Sequence, residues 1–166
     1  MQNHADFARK LLLRSSVAGA MRPRFVADCF AGDGALTAAL WAGIADRVLC
    51  IERNPECRPA LDALAARHGI IDVVIARNQT QIQRIIAADV VDCDAYGLAL
   101  PFIESLIAAG LRAGTLVFFT DGTPAKALRV KNAQRAFDET AERLFTTYHV
   151  EKSQGGLALY GYGVTA

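Results

Sequence analysis

The sequence predicts an α/β fold in which helices cover both faces of an open, mostly parallel sheet. The first observation is that short, continuous apolar runs alternate with segments that carry helix start and stop signals. The second is that two strand-like segments near the end of the chain flank a Gly-Gly pair. This pattern indicates a C-terminal antiparallel hairpin, so the sheet is expected to end in reversed strands.

Five apolar runs are expected to form the parallel strands. They are rich in Val, Ile, Leu, Phe and Cys without alternation, which is typical of strands that have no solvated face. The predicted strands are Arg24–Phe30, Arg47–Glu52, Ile70–Ala76, Ala88–Cys93 and Thr115–Thr120. Strands separated by helices in this way are joined by right-handed crossovers.

Three segments between these strands carry helix signals, and each is closed by a glycine. Asn54 is expected to cap the second helix, with Pro55 in its first position. A further helix is expected within residues 1–22, ahead of a core formed by residues 23–166. The three predicted helices are Gly34–Ala42, stopped by Gly43, the segment from Asn54 to Gly69, and Pro101–Ala109, stopped by Gly110.

The composition limits the classes of function. A chain of 166 residues, 52% of them hydrophobic, fits a single domain spanning residues 1–166. The net charge of +1 excludes a generally basic nucleic-acid coat, so nucleic-acid binding would need a local patch. The four cysteines form no C-x-x-C pair and no zinc pattern, which predicts free thiols in a cytoplasmic protein. Neither a metal site, a signal peptide nor a membrane span is expected.

The segment Asp28–Gly34 (DCFAGDG) is the first candidate ligand site, because it joins the first strand to the first helix. Gly32 and Gly34 allow close approach of the backbone to a ligand, and the helix that follows offers free N–H groups to an anion. Thr37 occupies the third glycine position of G-x-G-x-x-G, which weakens the case for a dinucleotide. A plain strand-to-helix turn is the alternative.

Glu52 is the second candidate, at the end of the second strand and 20 residues after Gly32. A carboxylate at this position of an α/β sheet can accept hydrogen bonds from both hydroxyls of a ribose. A surface glutamate is the alternative, but the Gly-rich turn on the preceding strand favours a ligand-binding role.

These segments resemble class I S-adenosylmethionine-dependent methyltransferases. "VADCFAGDGALTAAL" is similar to their first motif and "VLCIERNPE" to their acidic second-strand motif. The resemblance implies a Rossmann-like sheet of order 3-2-1-4-5-7-6 and S-adenosyl-L-methionine as cofactor. It further implies that Glu52 and the adjacent Arg53 lie at the ribose, and that the methionine part is held by Asp28, Phe30, Ala31, Gly32 and Gly34.

The loop Ala76–Gln81 (ARNQTQ) follows the third strand and touches the adenine in that family, often through an acidic side chain. This loop has no acidic residue. Asn78, Gln79 or Gln81 is therefore expected to accept a hydrogen bond from the adenine amine through its amide oxygen. For Asn78, capping of the next helix is the alternative.

The fourth strand ends in "DCDAYG", beside the topological switch point of such a sheet. The segment from Val90 to Asp121 resembles the D-x-D-P-[Y/F]-G-x-P region of tRNA guanine-N2 dimethyltransferases, which also carry an Asn-Gln pair after the third strand. Ala95 replaces the family's proline and Leu98 replaces its serine. The resemblance covers about Phe25 to Thr123.

The chemistry of amine methylation fits these residues. An exocyclic amine on a base is a poor nucleophile, because its lone pair is delocalised into the ring. Asp94 and the carbonyl of Ala95 are expected to accept its N–H groups and localise that lone pair, while Tyr96 stacks on the base. Asp92 is expected to face the end of the sheet and orient the loop.

The sequence contains two groups of basic residues. Lys126, Arg129, Lys131 and Arg135 follow the fifth strand with no acidic residue between them. They are expected either to contact nucleic-acid phosphates or to form a solvated helix face. The second group lies on and after the N-terminal helix and comprises Arg9, Lys10, Arg14, Arg22 and Arg24.

The sequence therefore predicts a cytoplasmic methyltransferase that acts on an exocyclic amine of a nucleobase, in RNA rather than DNA. Three alternatives stay open. One is a methyltransferase that acts on a small molecule or a protein. Another is a non-catalytic partner subunit that keeps the methyltransferase fold, which is favoured by Ala95 in place of the family's proline. In a related form of this alternative, the chain is catalytic and a partner subunit recognises the substrate. The last is a nicotinamide-dependent enzyme.

Overall fold

Seven strands form one sheet in the computed structural model, which describes residues 4–95, 97, 99–121, 131–152 and 159–166. At residues 4, 5 and 131–136 only the backbone is described. The strands are β1 (Phe25–Asp28), β2 (Arg47–Glu52), β3 (Ile71–Ile75), β4 (Val90–Asp94), β5 (Leu116–Asp121), β6 (Phe145–Lys152) and β7 (Leu159–Thr165).

The order of the strands is β3-β2-β1-β4-β5-β7-β6, as predicted. Strands β1 to β5 are parallel, and β7 pairs antiparallel with both β5 and β6. The predicted hairpin is thus confirmed, while the turn at residues 153–158 lies outside the described residues. Strands β2 and β3 are added on one side of β1, whereas β4 and β5 are added on its other side. This change in the order of the strands places the topological switch point at the carboxyl ends of β1 and β4.

The helices connect the strands across both faces of the sheet. Short 3-10 turns, Pro55–Cys57 and Asn78–Gln81, lead into two of them, and a π-helical stretch, Thr37–Trp41, leads into a third. The helices are α1 (His4–Ala18), α2 (Ala42–Ile44), α3 (Arg58–Arg67), α4 (Ile82–Ile85), α5 (Leu100–Ala108) and α6 (Lys131–Leu144).

Local helix signals act as expected at two of the three sites. The side chain of Asn54 accepts the N–H of Glu56 at 3.1 Å, and Gly110 closes α5 with φ at +100°. The predicted stop at Gly43 is wrong, because the helix continues to Ile44. Trp41 is fully buried just before this last turn, and its packing outweighs the weak helix preference of glycine.

The sheet separates two apolar layers. Helices α1 and α3 and the π-helical stretch pack on the face that carries Val48, Val90 and Phe118. Helices α4, α5 and α6 pack on the face that carries Val91 and Phe119. Cys29, Cys50 and Cys93 are free and buried within these layers, as the sequence predicts. In the described part of the chain, no helix is both long and apolar enough to cross a bilayer.

Candidate functional site

The candidate site residues gather at the carboxyl edge of the sheet. Asp28 at the end of β1 lies directly opposite Asp92 of β4, and Asp94 lies opposite Thr120 of β5. Glu52 ends β2 at the same edge. Open α/β sheets bind ligands at this edge, beside the switch point, so the fold brings the predicted residues together where a ligand is expected.

Glu52 ties together the turns that follow β1 and β2. Its Oε2 accepts the N–H of Gly32 at 2.9 Å, and its Oε1 accepts the N–H of Asn54 at 2.8 Å. Gly32 has φ at +56°, a left-handed conformation that favours glycine. A carboxylate offers about four lone-pair sites, so both oxygens of Glu52 keep the capacity to accept ribose hydroxyls.

Gly34 is required for packing between the turn and α3. Its φ is +83°, and a Cβ placed there would lie 2.8 Å from the Cδ2 of Leu64. The space at Gly34 is therefore filled by the protein itself. Of the two glycines singled out in the sequence, Gly32 is the one that Glu52 holds at the turn.

The neighbouring residues of the turn are engaged mainly with the protein. The ring of Phe30 packs edge-on against Phe102 with centroids 5.9 Å apart, and the N–H of Ala31 donates to the carbonyl of Ile51 at 3.1 Å. These contacts fix the shape of the turn. Arg53, predicted to lie at the ribose, is exposed beside Glu52.

Asn78 carries a buried acceptor whose partner the described residues do not supply. Its side chain is 8% exposed, and its Oδ1 accepts no hydrogen bond there. The alternative that Asn78 caps a helix is wrong, since Arg77 holds the cap position and Asn78 starts the 3-10 turn. An unpaired buried amide oxygen is costly, and an adenine amine is a donor that would satisfy it. Gln79 is exposed.

These features fit the nucleoside part of S-adenosyl-L-methionine. Glu52 has remaining acceptor capacity for ribose hydroxyls, and Asn78 has an acceptor for the adenine amine. Glu52 ends β2 and Asn78 follows β3, and these two strands are adjacent and parallel, so both residues lie at the same edge of the sheet.

Asp28 lies beneath the Gly-rich turn, with 2% of its surface exposed. Its Oδ2 accepts a hydrogen bond from the hydroxyl of Thr37 at 2.6 Å. Burial and the nearby charge of Asp92 raise the pKa of Asp28 to about 7, although the Thr37 hydrogen bond acts in the opposite direction. A contribution of Asp28 to cofactor binding stays a prediction.

Asp92 points into the layer under α1 and does not orient the loop as predicted. Arg14 donates to both of its carboxylate oxygens, from Nε at 2.7 Å and from Nη2 at 2.8 Å, and Trp41 Nε1 donates at 3.1 Å. The side chains of Arg14 and Asp92 are both 0% exposed. The Arg14 guanidinium also lies over the ring of Phe118, 5.4 Å from its centroid. The alternation of side chains along β4 explains this placement, because a buried strand directs every second residue into the covering layer.

Asp94 lies one step further along the same face of β4, at the sheet edge. Lys10 of α1 donates to its Oδ1 at 2.6 Å, and both side chains keep slightly less than a fifth of their surface exposed. Burial alone would raise the pKa of Asp94, but the charges of Arg14 and Lys10 outweigh it and hold that pKa below its usual value. Asp94 is therefore an ionised hydrogen-bond acceptor at neutral pH.

The loop after Asp94 is anchored at both ends. Ala95 is 7% exposed and donates its N–H to the carbonyl of Cys93 at 2.8 Å. At the other end, Asp121 accepts the N–H of Ala99 at 3.1 Å. Gly97 between them has φ at +147°, while the predicted stacking residue Tyr96 lies outside the described residues.

The predicted basic patch is described only in part. Lys126 and Arg129 lie outside the described residues. Lys131 and Arg135 lie on α6, where only their backbone is described. Phosphate binding by this patch stays a prediction. The described residues include no group of three or more His, Cys, Asp or Glu side chains that could hold a metal ion.

Sequence reasoning missed the residues that hold the two aspartates of β4. The sequence identifies Arg14 and Lys10 only as basic residues, and it does not single out Trp41, which donates to Asp92. One signal was available in the sequence. Lys10 and Arg14 are spaced i, i+4 on a helix, and Asp92 and Asp94 are spaced i, i+2 on a strand, so each pair lies on one face of its element.

The comparison with solved structures gives the fold. The O-methyltransferase TomG from Streptomyces achromogenes, involved in tomaymycin synthesis and solved with S-adenosylmethionine, superposes with a TM-score of 0.71 at 16% identity, covering 96% of this chain and 80% of that one. This chain has the fold of class I methyltransferases. The N-methyltransferase NodS from Bradyrhizobium japonicum, solved with S-adenosyl-L-homocysteine, gives a TM-score of 0.71 at 14% identity, covering 99% and 89% of the two chains.

A third methyltransferase-fold structure is the putative methyltransferase yhhF from Escherichia coli. It has a TM-score of 0.66 at 20% identity and covers 95% of this chain and 87% of that one. No protein-family model and no curated protein matches the sequence. The methyltransferase fold therefore rests on three-dimensional similarity, which agrees with the order of the strands.

Proposed function

We propose that the chain transfers a methyl group from S-adenosyl-L-methionine to an exocyclic amine of a nucleobase, in RNA rather than DNA. The observation that carries the proposal is the ionised, largely buried carboxylate of Asp94 at the carboxyl end of β4. It shares the sheet edge with Glu52, whose carboxylate retains acceptor capacity.

The cofactor, when bound, supplies the electrophilic methyl group on a sulfonium. The residues proposed to hold it are the Gly32 turn, Glu52 at the ribose and Asn78 at the adenine. Asn78 Oδ1 is buried and accepts no hydrogen bond from the described residues. This supports the assignment, because the adenine amine could donate to it.

Asp94 is proposed to act on the substrate amine. A carboxylate that accepts one N–H of an aromatic amine favours a lone pair localised on nitrogen and directed at the methyl group. As the N–C bond forms, the S–C bond of the cofactor would break, S-adenosyl-L-homocysteine would leave, and the amine would release one proton to solvent. An ionised carboxylate is a stronger acceptor for this role than a neutral group, and the cations of α1 keep Asp94 ionised. The resemblance of the segment Val90–Asp121 to tRNA guanine-N2 dimethyltransferases supports a base amine, with the N2 amine of guanine as the first to test.

A small-molecule substrate is the second candidate. It is favoured by TomG, a structural neighbour involved in tomaymycin synthesis. The same sheet edge serves either substrate, so the substrate has to be found by experiment. A cytoplasmic location belongs to the proposal in both cases.

The decisive experiment offers purified protein radiolabelled S-adenosyl-L-methionine together with total RNA, DNA, protein and small-molecule fractions. Label in RNA that is recovered as a methylated base amine supports the proposal. Label confined to another fraction would show that the substrate belongs to that fraction and not to RNA. Cofactor binding without any methyl transfer would favour a non-catalytic partner subunit that keeps the fold.

The acceptor role is tested by Asp94→Ala and Asp94→Asn under single-turnover conditions with saturating cofactor. Asp94→Ala is expected to lower the rate about 100-fold or more, and Asp94→Asn less, because an amide oxygen still accepts a hydrogen bond. Affinity for S-adenosyl-L-homocysteine should stay the same in both variants. Full activity in Asp94→Ala would remove Asp94 from the mechanism.

A further inference from the structure

Helix α1 and strand β4 are joined by two ion pairs in matching register. Lys10 Nζ binds Asp94 Oδ1 at 2.6 Å, and Arg14 binds both oxygens of Asp92 at 2.7 and 2.8 Å. Four residues of helix rise about 6 Å, and two residues of strand rise about 6.6 Å, so the spacings agree. Lys10 binds the later aspartate, so α1 runs antiparallel to β4 and its first turns lie at the carboxyl edge.

The two ion pairs differ in their surroundings. Arg14 and Asp92 are 0% exposed and are enclosed by Trp41 and Phe118, which is the environment of a structural pair. Lys10 is 19% exposed and Asp94 is 18% exposed, at the edge where the substrate is expected. The outer pair alone is within reach of a bound molecule.

On the basis of the function proposed above, we propose that Lys10 is a positioning residue for methyl transfer, which holds the Asp94 carboxylate in place to accept the N–H of the substrate amine. The ammonium contacts Oδ1 of Asp94. A carboxylate has about four lone-pair sites, so this contact leaves Asp94 able to accept from a substrate. Lys10 thereby fixes the direction of the acceptor without touching the reacting atoms.

Two cations lower the pKa of Asp94, and Lys10 is the one that contacts its carboxylate at the edge. Burial raises the pKa of Asp94, whereas Arg14 and Lys10 lower it. Arg14 is already committed to Asp92 through two hydrogen bonds. The cations that face Asp94 are Lys10 and Arg14 of α1. The other groups around it are Asp92 of the same strand, Asp28 of β1 and Thr120 of β5. Farther along the edge, Tyr160 of β7 donates to Glu151 of β6.

The test compares Lys10→Met, Lys10→Arg and the control Arg24→Met, which removes an exposed cation at the opposite end of the sheet. In Lys10→Met, kcat is expected to fall about tenfold to 100-fold, because the acceptor loses its fixed geometry. The acid limb of the pH–rate profile should move to higher pH, since Asp94 then takes up a proton more readily. Lys10→Arg should recover most of the activity, and Arg24→Met should match the wild type.

A second readout does not depend on activity. The carboxyl carbon of Asp94, followed by NMR as a function of pH, should titrate at higher pH in Lys10→Met than in the wild type, while affinity for S-adenosyl-L-homocysteine is unchanged. Equal or higher turnover in Lys10→Met would overturn the proposal, because Lys10 would then be a bystander or a competitor of the substrate. An unchanged titration of Asp94 would overturn it as well.

The failure of the proposed function has a different signature. In that case the wild type transfers no methyl group to a base amine of RNA, whatever the titration of Asp94 shows. If the wild type and the Lys10→Met variant are equally active, only the proposed role of Lys10 is refuted and the proposed function stands.

Discussion

Replacing Arg14 with Met should destabilise the protein severely, because it leaves the Asp92 carboxylate buried without its cation. Both side chains are 0% exposed, and Arg14 supplies two of the hydrogen bonds to Asp92, at 2.7 and 2.8 Å. Trp41 remains as a single neutral donor at 3.1 Å. Removing one partner of such a pair typically costs about 3–5 kcal/mol of unfolding free energy. For a domain of this size that corresponds to a fall in Tm of roughly 6–20 °C.

The assay is urea unfolding at pH 7, followed by circular dichroism, with Arg47→Met as the matched control. Arg47 binds Asp72 at 2.7 Å, but both side chains are about half exposed, so this variant should cost less than about 1 kcal/mol. The double variant Arg14→Met/Asp92→Asn should be more stable than Arg14→Met, because it removes the unpaired charge and leaves an amide oxygen for Trp41.

The double variant gives an independent check of this explanation. Neutralising Asp92 should recover stability only if an unpaired buried charge causes the loss. A loss below about 1 kcal/mol, or a double variant no more stable than the single one, would refute the reasoning.

Two further predictions concern the carboxylates nearest the proposed cofactor site. Glu52→Ala should weaken binding of S-adenosyl-L-homocysteine about tenfold to 100-fold in calorimetric titration, because it removes a charge-assisted acceptor. The control Glu56→Ala, at an exposed residue, should leave the affinity unchanged. Equal affinities of Glu52→Ala and the wild type would exclude Glu52 from the site. Asp28 has a folded pKa of about 7 against an ordinary 3.8, so the stability it contributes is present below pH 3.8 and lost as pH rises through 7. Urea unfolding between pH 4 and 8 should show this loss in the wild type and not in Asp28→Asn, whereas parallel curves would contradict the assigned pKa.

Much of the fold follows from signals that lie close together in the sequence. Continuous apolar runs located β1 to β5 to within a few residues, and Asn54 and Gly110 marked helix ends that the structure confirms. These signals are local because each depends on backbone conformation and on burial of one short segment. The stop expected at Gly43 failed, since the buried Trp41 holds that helix through tertiary packing.

The candidate site could be predicted only in outline. Parallel strands must bring their carboxyl ends to one edge, so the sequence alone placed Glu52 and Asp94 near each other. The sequence could not assign a direction to the Asp92 side chain. A shift of one residue along a strand moves each side chain to the opposite face of the sheet. The face that α1 covers is decided by the complete fold.

The sequence by itself therefore determined which segments form the sheet, which segments form the helices between them, and the edge at which ligand-binding residues collect. Tertiary structure alone decided the electrostatics of that edge. Arg14 and Asp92 are separated by 78 residues, and Lys10 and Asp94 by 84. Such pairs form only when α1 packs along β4, and burial then strengthens each charge interaction. The electrostatic environment of Asp94 is therefore a property of the folded chain and not of its local sequence.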